Sequence, residues 1–275
     1  MRRIAGWAVA ACCISTLANA GAPELTAAQI VEKNAAARGG LEAWRRIQTM
    51  VWVGHVESAD APASRRSFIL EQKRPNKTRF EITADNQKFV HVYDGTSGWK
   101  VRPASNGKPE LTPYTTDELA FANAAQVIDG PLMDYAAKGV VVTLDGVDEV
   151  EGRKAYRLNV RLPSGLRQVV WIDAGTFLDI KYDRVSRSPA GQSRTVSVFY
   201  RNYQTFEGLQ IPLTLETGPA TAKARDKLVI DKLALNPPLT DEMFGKPRVP
   251  GSRRKGVTVD TRTSQAAQPP VRPTP

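Results

Sequence analysis

The side chains of this sequence that could do chemistry are few, and they are spaced badly for it. His55 and His91 are the only two histidines in 275 residues. Both fall in segments of alternating, strand-like pattern, and neither has a second ligand at the helical spacing that a zinc site or a helix-borne general base requires. Cys12 and Cys13 are the only cysteines, and both lie in the apolar N-terminal stretch. Four carboxylates, Asp145, Asp148, Glu149 and Glu151, crowd into TLDGVDEVEG. Such a cluster suggests a calcium loop or an acid/base pair, but the order of oxygen ligands in a calcium-binding loop is missing, and a surface hairpin accounts for the cluster better. The run from Gly95 to Gly98, GTSG, lacks the spacing of a serine nucleophile elbow and reads as a turn. No glycine-rich phosphate cradle is present. The expectation is a protein with no catalytic residue, no metal and no cofactor.

The first twenty residues carry Arg2 and Arg3, an apolar stretch from Ile4 to Leu17, and Ala18-Asn19-Ala20. This is the pattern of a cleaved secretory signal, and it predicts a mature chain without thiols in the periplasm. The alternative is a lipoprotein signal with lipidation at Cys12. The balance of 38 Lys+Arg against 28 Asp+Glu gives +10. Much of that excess sits at the C-terminal end, where Lys246, Arg248, Arg253, Arg254, Lys255, Arg262 and Arg272 face Asp260 alone. Residues 250–275 are rich in Pro, Gln, Ser and Thr, which predicts a disordered basic tail suited to solubility or to transient contact with an anionic membrane. No nucleic-acid motif accompanies the charge, so nucleic acid is not an expected partner.

Residues 21–249 read as one domain. Thr26 caps a helix over AAQIVEKNAAA that stops at Gly39-Gly40. Five strand-like segments follow up to Pro103. Thr115 to Gly139 then shows helical spacing, split by Asp129-Gly130-Pro131 into two short helices, and seven further strand segments run from Val141 to Leu235. Turns every 8–12 residues imply an antiparallel meander. About twelve strands in one sheet must curl, which predicts a mainly β fold of α+β class. It is a large curved antiparallel sheet forming an unclosed half-barrel, lidded by the N-terminal helix and the mid-chain helical pair.

Period-two alternation makes one face apolar: Phe68 with Leu70, Phe80 with Ile82, Phe89 with Tyr93, and Tyr156 with Leu158. Two outcomes are open. Either side chains and helices fill the concavity, or a cavity is left for an apolar ligand. In the second case those eight residues line it, together with Trp52 and Trp99 at the mouth and Leu119, Val127 and Leu132 from the helical break.

Three phrases then carry a resemblance. LEQKRPNKTRFEI has an Arg-Pro-Asn turn between two early strands, VYDGTSGWKVRP has an Asp-Gly turn followed by tryptophan and proline, and LNPPLTDEMF, near the C-terminus, matches a closing strand and the short segment after it. In order and spacing these resemble LolA-like periplasmic lipoprotein carriers. The resemblance implies an unclosed barrel that accepts lipoprotein acyl chains and serves sorting to the outer membrane, with an arginine latching the lid. Arg66 and Arg79 are the candidates for that latch. Relatives in the family also sense envelope stress, so an envelope sensor or scaffold that binds another envelope protein is the competing function. An enzyme is the weakest reading.

Overall fold

The first and last strands lie side by side in the middle of the sheet, and this pairing dictates the topology. The structure, a computed structural model, describes residues 25–60, 66–104, 108–125, 128–187, 192–222 and 224–248. The expected signal segment, Cys12 and the basic tail lie outside the described residues, as does Val127. β1 (Thr49–Glu57) pairs antiparallel with β13 (Asp226–Leu235), Met50 opposite Leu235. On one side of this seam the order runs through β2 (Arg66–Lys73), β3 (Lys77–Ala84), β4 (Gln87–Tyr93) and β5 (Gly98–Pro103) to β6 (Pro109–Pro113). On the other it runs from β12 (Leu209–Pro219) through β11 (Ser193–Phe206), β10 (Asp179–Arg187), β9 (Arg167–Asp173) and β8 (Arg153–Arg161) to β7 (Val141–Val150). β6 and β7 are the two free edges of this 13-stranded sheet. The sheet is an unclosed half-barrel, as the strand count and short turns predict.

Local chemistry explains the meander. Asp85-Asn86, Glu151-Gly152 and Glu207-Gly208 all have positive φ at both central positions, the two-residue geometry whose twist matches antiparallel strands. α1 (Ala27–Ala37) starts from the reciprocal Thr26–Gln29 capping box and ends at Gly39 and Gly40, φ +107° and +91°. A short α2 (Leu41–Arg46) follows and buries Trp44. α3 (Thr116–Ala124) starts from a second capping box, Thr115–Glu118.

Two expectations are corrected, and one element is added. The mid-chain break holds one helix rather than two, because residues 128–139 form successive turns. Gly130, Asp134 and Gly139 take positive φ there, and Pro131 removes a helical donor. β6 is a thirteenth strand missed for its prolines, which an edge strand tolerates. α2 was too short to show a period.

The crossover from β6 to β7, described over residues 114–125 and 128–140, lies over the concave face. α1 packs there through Ile30 and Val31 against Leu158, Val160, Val170 and Ile172. α2 packs through Trp44 onto Met50, Leu209 and Ile211, with Ile128 and Met133 of the crossover in the same cluster. On the convex face Leu239 and Phe244, from the segment around the 3₁₀ turn Asp241–Phe244, cover Val51 beside the seam.

The seam itself is intolerant at Gly54, where the β1–β13 register shifts. A Cβ there would meet the Val229 carbonyl oxygen and come within 2.9 Å of the Phe68 ring. Gly54→Ala is expected to destabilise the fold by about 1–3 kcal/mol, the usual cost of overpacking, read as a lowered denaturant midpoint with an unchanged m-value.

Candidate functional site: a cavity beneath the crossover

Asp129 fixes the crossover over the concave face. Its side chain is 4% exposed. One carboxylate oxygen accepts from Arg74 Nη2 at 2.8 Å and the other from Lys138 Nζ at 2.6 Å. Its carbonyl oxygen accepts from Arg38 Nη1 at 3.0 Å. Each cation is held in turn. Arg74 donates to the carbonyls of Ile47 and Trp44 at 2.7 and 3.0 Å, Lys138 donates to the Gly130 carbonyl at 2.9 Å, and the Arg38 guanidinium lies 4.6 Å from the Trp44 ring centroid. Burial lowers the pKa of the Lys138 amine, and the Asp129 carboxylate opposes that shift. One buried anion thus ties together the C-terminus of α1, the end of α2, the β2–β3 turn and the crossover.

Beneath the crossover is a cavity of about 210 Å³. Its floor is the sheet: Trp52 of β1, Val170 of β9, Tyr182 of β10, Tyr200 and Tyr203 of β11, and Ile211 and Leu215 of β12. Its roof is the end of α3, with Phe121, and the 128–132 turn, with Ile128 and Leu132. Arg38, Trp44 and Asp179 bound it at one rim of the sheet, and Leu162, Leu166 and Gln168 at the other. Tyr182 and Tyr200 stack at 5.9 Å. Burial raises the pKa of both phenols and of Tyr203, so all three stay neutral; for Tyr200 and Tyr203 the nearby Asp179 carboxylate adds to the shift. The charged lining residues pair with each other, Arg38 Nε lying 3.6 Å from Asp179 Oδ2. The space suits an apolar or weakly polar group.

The two walls of the roof are held differently. The 128–140 segment buries Ile128, Leu132, Met133 and Val140. α3 buries no residue and leaves Phe121 40% exposed. It is held by Lys100 donating to Glu118 at 2.8 Å and by weak contacts of Asn123 with Tyr93 and Asn76 at 3.4 Å. Burial pushes the Glu118 pKa up, but Lys100 and the Thr115 N–H more than offset it and hold the carboxyl below the ordinary glutamate value.

Of the residues expected at the site, Trp52 and Leu132 line the cavity. Phe68, Leu70, Phe80 and Ile82 join Trp52 and Leu215 in an adjoining cluster on the same face. Phe89 lies next to it, opposite Ile82, and Tyr93 is buried with its hydroxyl toward Asn123 on α3. Tyr156 and Leu158 sit in the cluster with α1, Tyr156 stacking on Phe177 at 5.9 Å. Leu119 is half-buried on α3. Trp99 belongs to the opposite face, paired with Val92 and packed among Val90, Val101 and Leu111. It is one residue out of step with Gly98, and a single step along a strand changes face.

The latch arginines also differ from expectation. Arg79 faces away from the crossover with Glu71 and Glu81 at 3.5 and 3.0 Å, and Arg66 opens β2 opposite Val56 and Ala84, at the far end of that strand from Arg74. Arg38 and Arg74 grip the crossover instead. Tyr182, Tyr200, Tyr203, Phe121 and Ile211 were not anticipated at the site, although Tyr200 and Ile211 share the alternation of the apolar face.

The residues first considered for chemistry are engaged elsewhere. His55 Nδ1 lies 3.0 Å from Asp231. Burial and the nearby Arg102 lower the pKa of His91, whose ring neighbours Tyr114. Asp145 and Asp148 pair with Arg157, and Glu151 with Arg201.

No protein-family model and no curated protein matches the sequence. Solved structures do resemble the fold. A putative outer membrane lipoprotein-sorting protein domain from Vibrio parahaemolyticus matches with a TM-score of 0.50 at 14% identity, over 80% of this chain and 96% of that one. A LolA superfamily protein from Nitrosomonas europaea matches with a TM-score of 0.50 at 14% identity, over 81% and 99%. The fold is that of LolA-like proteins.

Removing the buried anion leaves Arg74 and Lys138 uncompensated. Asp129→Ala is expected to cost about 3–5 kcal/mol in chemical denaturation and to admit protease between residues 128 and 140. The acid limb has a separate origin. Because the folded Glu118 pKa lies below its unfolded value, its anchoring of α3 is intact above the ordinary glutamate range and is lost as pH falls through the folded value. Amide exchange in α3 should accelerate over that acid window, and Glu118→Gln should remove the pH dependence.

Proposed function

We propose that the protein is an exported, non-catalytic carrier that holds the acyl chain of a lipid or lipoprotein on its concave face. The observation that supports this most is the aromatic-lined cavity beneath the crossover, continuous through Trp52 and Leu215 with the half-buried Leu70, Phe80 and Ile82. Its 210 Å³ is less than the roughly 300–1,000 Å³ of pockets that enclose drug-sized ligands. A full acyl chain therefore enters as α3 lifts, while the Asp129 ties keep the 128–140 segment in place. The chain then lies across Tyr182, Tyr200 and Trp52 and continues onto the adjoining cluster. Each methylene taken from water contributes about 0.8 kcal/mol, so affinity scales with chain length rather than with any single contact. Residues 1–20 direct export with cleavage after Ala20, and the site of action is the periplasm. Delivery of lipoproteins to the outer membrane is the activity this carrier role serves.

The test is uptake of a fluorescent long-chain fatty acid by the purified protein. Saturable uptake is expected, with Leu215→Trp weakening it by about tenfold or more as the indole displaces about two methylenes of the chain from the cavity, each contributing about 0.8 kcal/mol. Absence of uptake, together with absence of any lipid mass in native mass spectra of protein taken from the cell envelope, would overturn the reading.

A further inference from the structure

The rim of the sheet where the cavity ends at Leu162 and Leu166 has an unusual charge pattern. The chain contains no Asp or Glu from residue 152 to 172 or from 184 to 206, the segments that supply β8, all of β9 but its last residue, the end of β10 and the whole of β11. At this rim Arg161 and Arg167 stand directly opposite each other across the β8–β9 hairpin. Like charges in that position destabilise a sheet. Arg194, the second residue of β11, stands opposite Ser186, and Arg184 lies opposite Gln168 with its guanidinium 4.6 Å from the Phe121 ring centroid. Elsewhere most arginines of the described fold meet a carboxylate: Arg38, Arg45, Arg74, Arg79, Arg157 and Arg201 all do. No carboxylate among the described residues pairs with Arg161, Arg167, Arg184 or Arg194.

Large apolar side chains are interspersed with these cations. Leu166 is 37% exposed, Val141 43% and Val185 59%. Val141 stands opposite Arg161, and Val185 follows Arg184. Leu166 and Phe121 are at once exposed and part of the cavity lining.

We propose that this rim is a docking surface for the anionic face of a phospholipid bilayer. Arg161, Arg167 and Arg194, exposed and without a carboxylate partner, attract the headgroup layer, Leu166 and Val185 enter its apolar boundary, and the surface relieves the Arg161–Arg167 repulsion. The choice of a bilayer over an acidic protein rests on the apolar tips between the cations and on the cavity opening onto the same rim. That last argument depends on the carrier reading above; the charge and exposure arguments do not. The orientation brings the cavity mouth to the membrane, so a lipid tail passes from bilayer to cavity without crossing water.

The experiment is cosedimentation of the full chain with vesicles of phosphatidylcholine alone or with about one third phosphatidylglycerol. Binding is expected only to the second and should fall as salt rises. Each basic residue near an anionic surface contributes about fivefold to partitioning. Arg161→Glu/Arg167→Glu should therefore lose more than tenfold. Arg46→Glu/Lys154→Glu makes the same charge change at the opposite rim and should lose little. Equal losses in the two double variants would assign binding to net charge or to the basic tail and overturn the proposal. So would absence of binding to anionic vesicles, the result expected if the rim instead meets an acidic protein. Fatty-acid uptake from solution, measured on the same samples, separates the two readings: it should be unchanged in Arg161→Glu/Arg167→Glu. A wild-type protein that binds anionic vesicles through this rim yet takes up no fatty acid would leave the docking surface standing and remove the carrier.

Discussion

A single buried carboxylate decides where the concave face ends. Asp129 is surrounded by Arg74, Lys138 and, at its carbonyl, Arg38. Buried charge is costly, and a site of this kind survives only when every charge has a partner and every remaining donor an acceptor. Here the spare donors of the cations reach backbone carbonyls of Trp44, Ile47 and Gly130. Those carbonyls belong to the end of α2 and the 128–140 turns, where regular helix and strand ladders stop; the Trp44 carbonyl also accepts from the Ile47 N–H. The interaction therefore serves two needs at once. It neutralises charge, and it supplies hydrogen bonds to irregular backbone lying over an apolar sheet.

With that anchor in place, the two halves of the crossover become mechanically different. The 128–140 segment is held by the anion and by buried Leu132 and Met133. α3 presents no buried residue and is held by its capping box, one lysine–glutamate pair, two long contacts of Asn123, the Arg184 guanidinium on Phe121 and the packing of Ala124 at its end. Local stability follows the number of buried apolar contacts and enclosed hydrogen bonds, so opening begins at α3. The cavity has one firm wall and one yielding wall, and the yielding wall ends at the rim that carries Leu166 and the unpaired arginines.

Much of the architecture was legible in the sequence because it rests on short-range signals. Alternation placed Phe68, Leu70, Phe80 and Ile82 on one face, and the Asp85-Asn86, Glu151-Gly152 and Glu207-Gly208 turns left little choice but antiparallel neighbours. The cavity was less legible. Its lining comes from β1, β9, β10, β11, β12 and the crossover, and which apolar residues stay uncovered depends on where α1, α2 and the crossover settle. Trp99 was misplaced because the apolar signal is strong on both faces of β4 and β5. Arg74 escaped notice because an arginine in an Arg-Pro-Asn turn looks solvated; only its meeting with Asp129, 55 residues away, buries it. That meeting leaves no local pattern.

The central β1–β13 seam has a consequence for how the chain acquires its shape. Within β1 to β6 and within β7 to β12 no two successive strands are separated by more than eight residues, so either half can assemble from neighbours in sequence. The seam joins residues as far apart as Met50 and Leu235, and such closures are the slow steps of folding because the loop entropy is lost before the contacts reward it. Among the described strands β13 is also the last synthesised. Until it inserts, β1 and β12 are unpaired edges facing each other across a gap one strand wide. The growing chain is thus two half-sheets awaiting a common strand, and that interval is when its backbone is most open to pairing with another molecule.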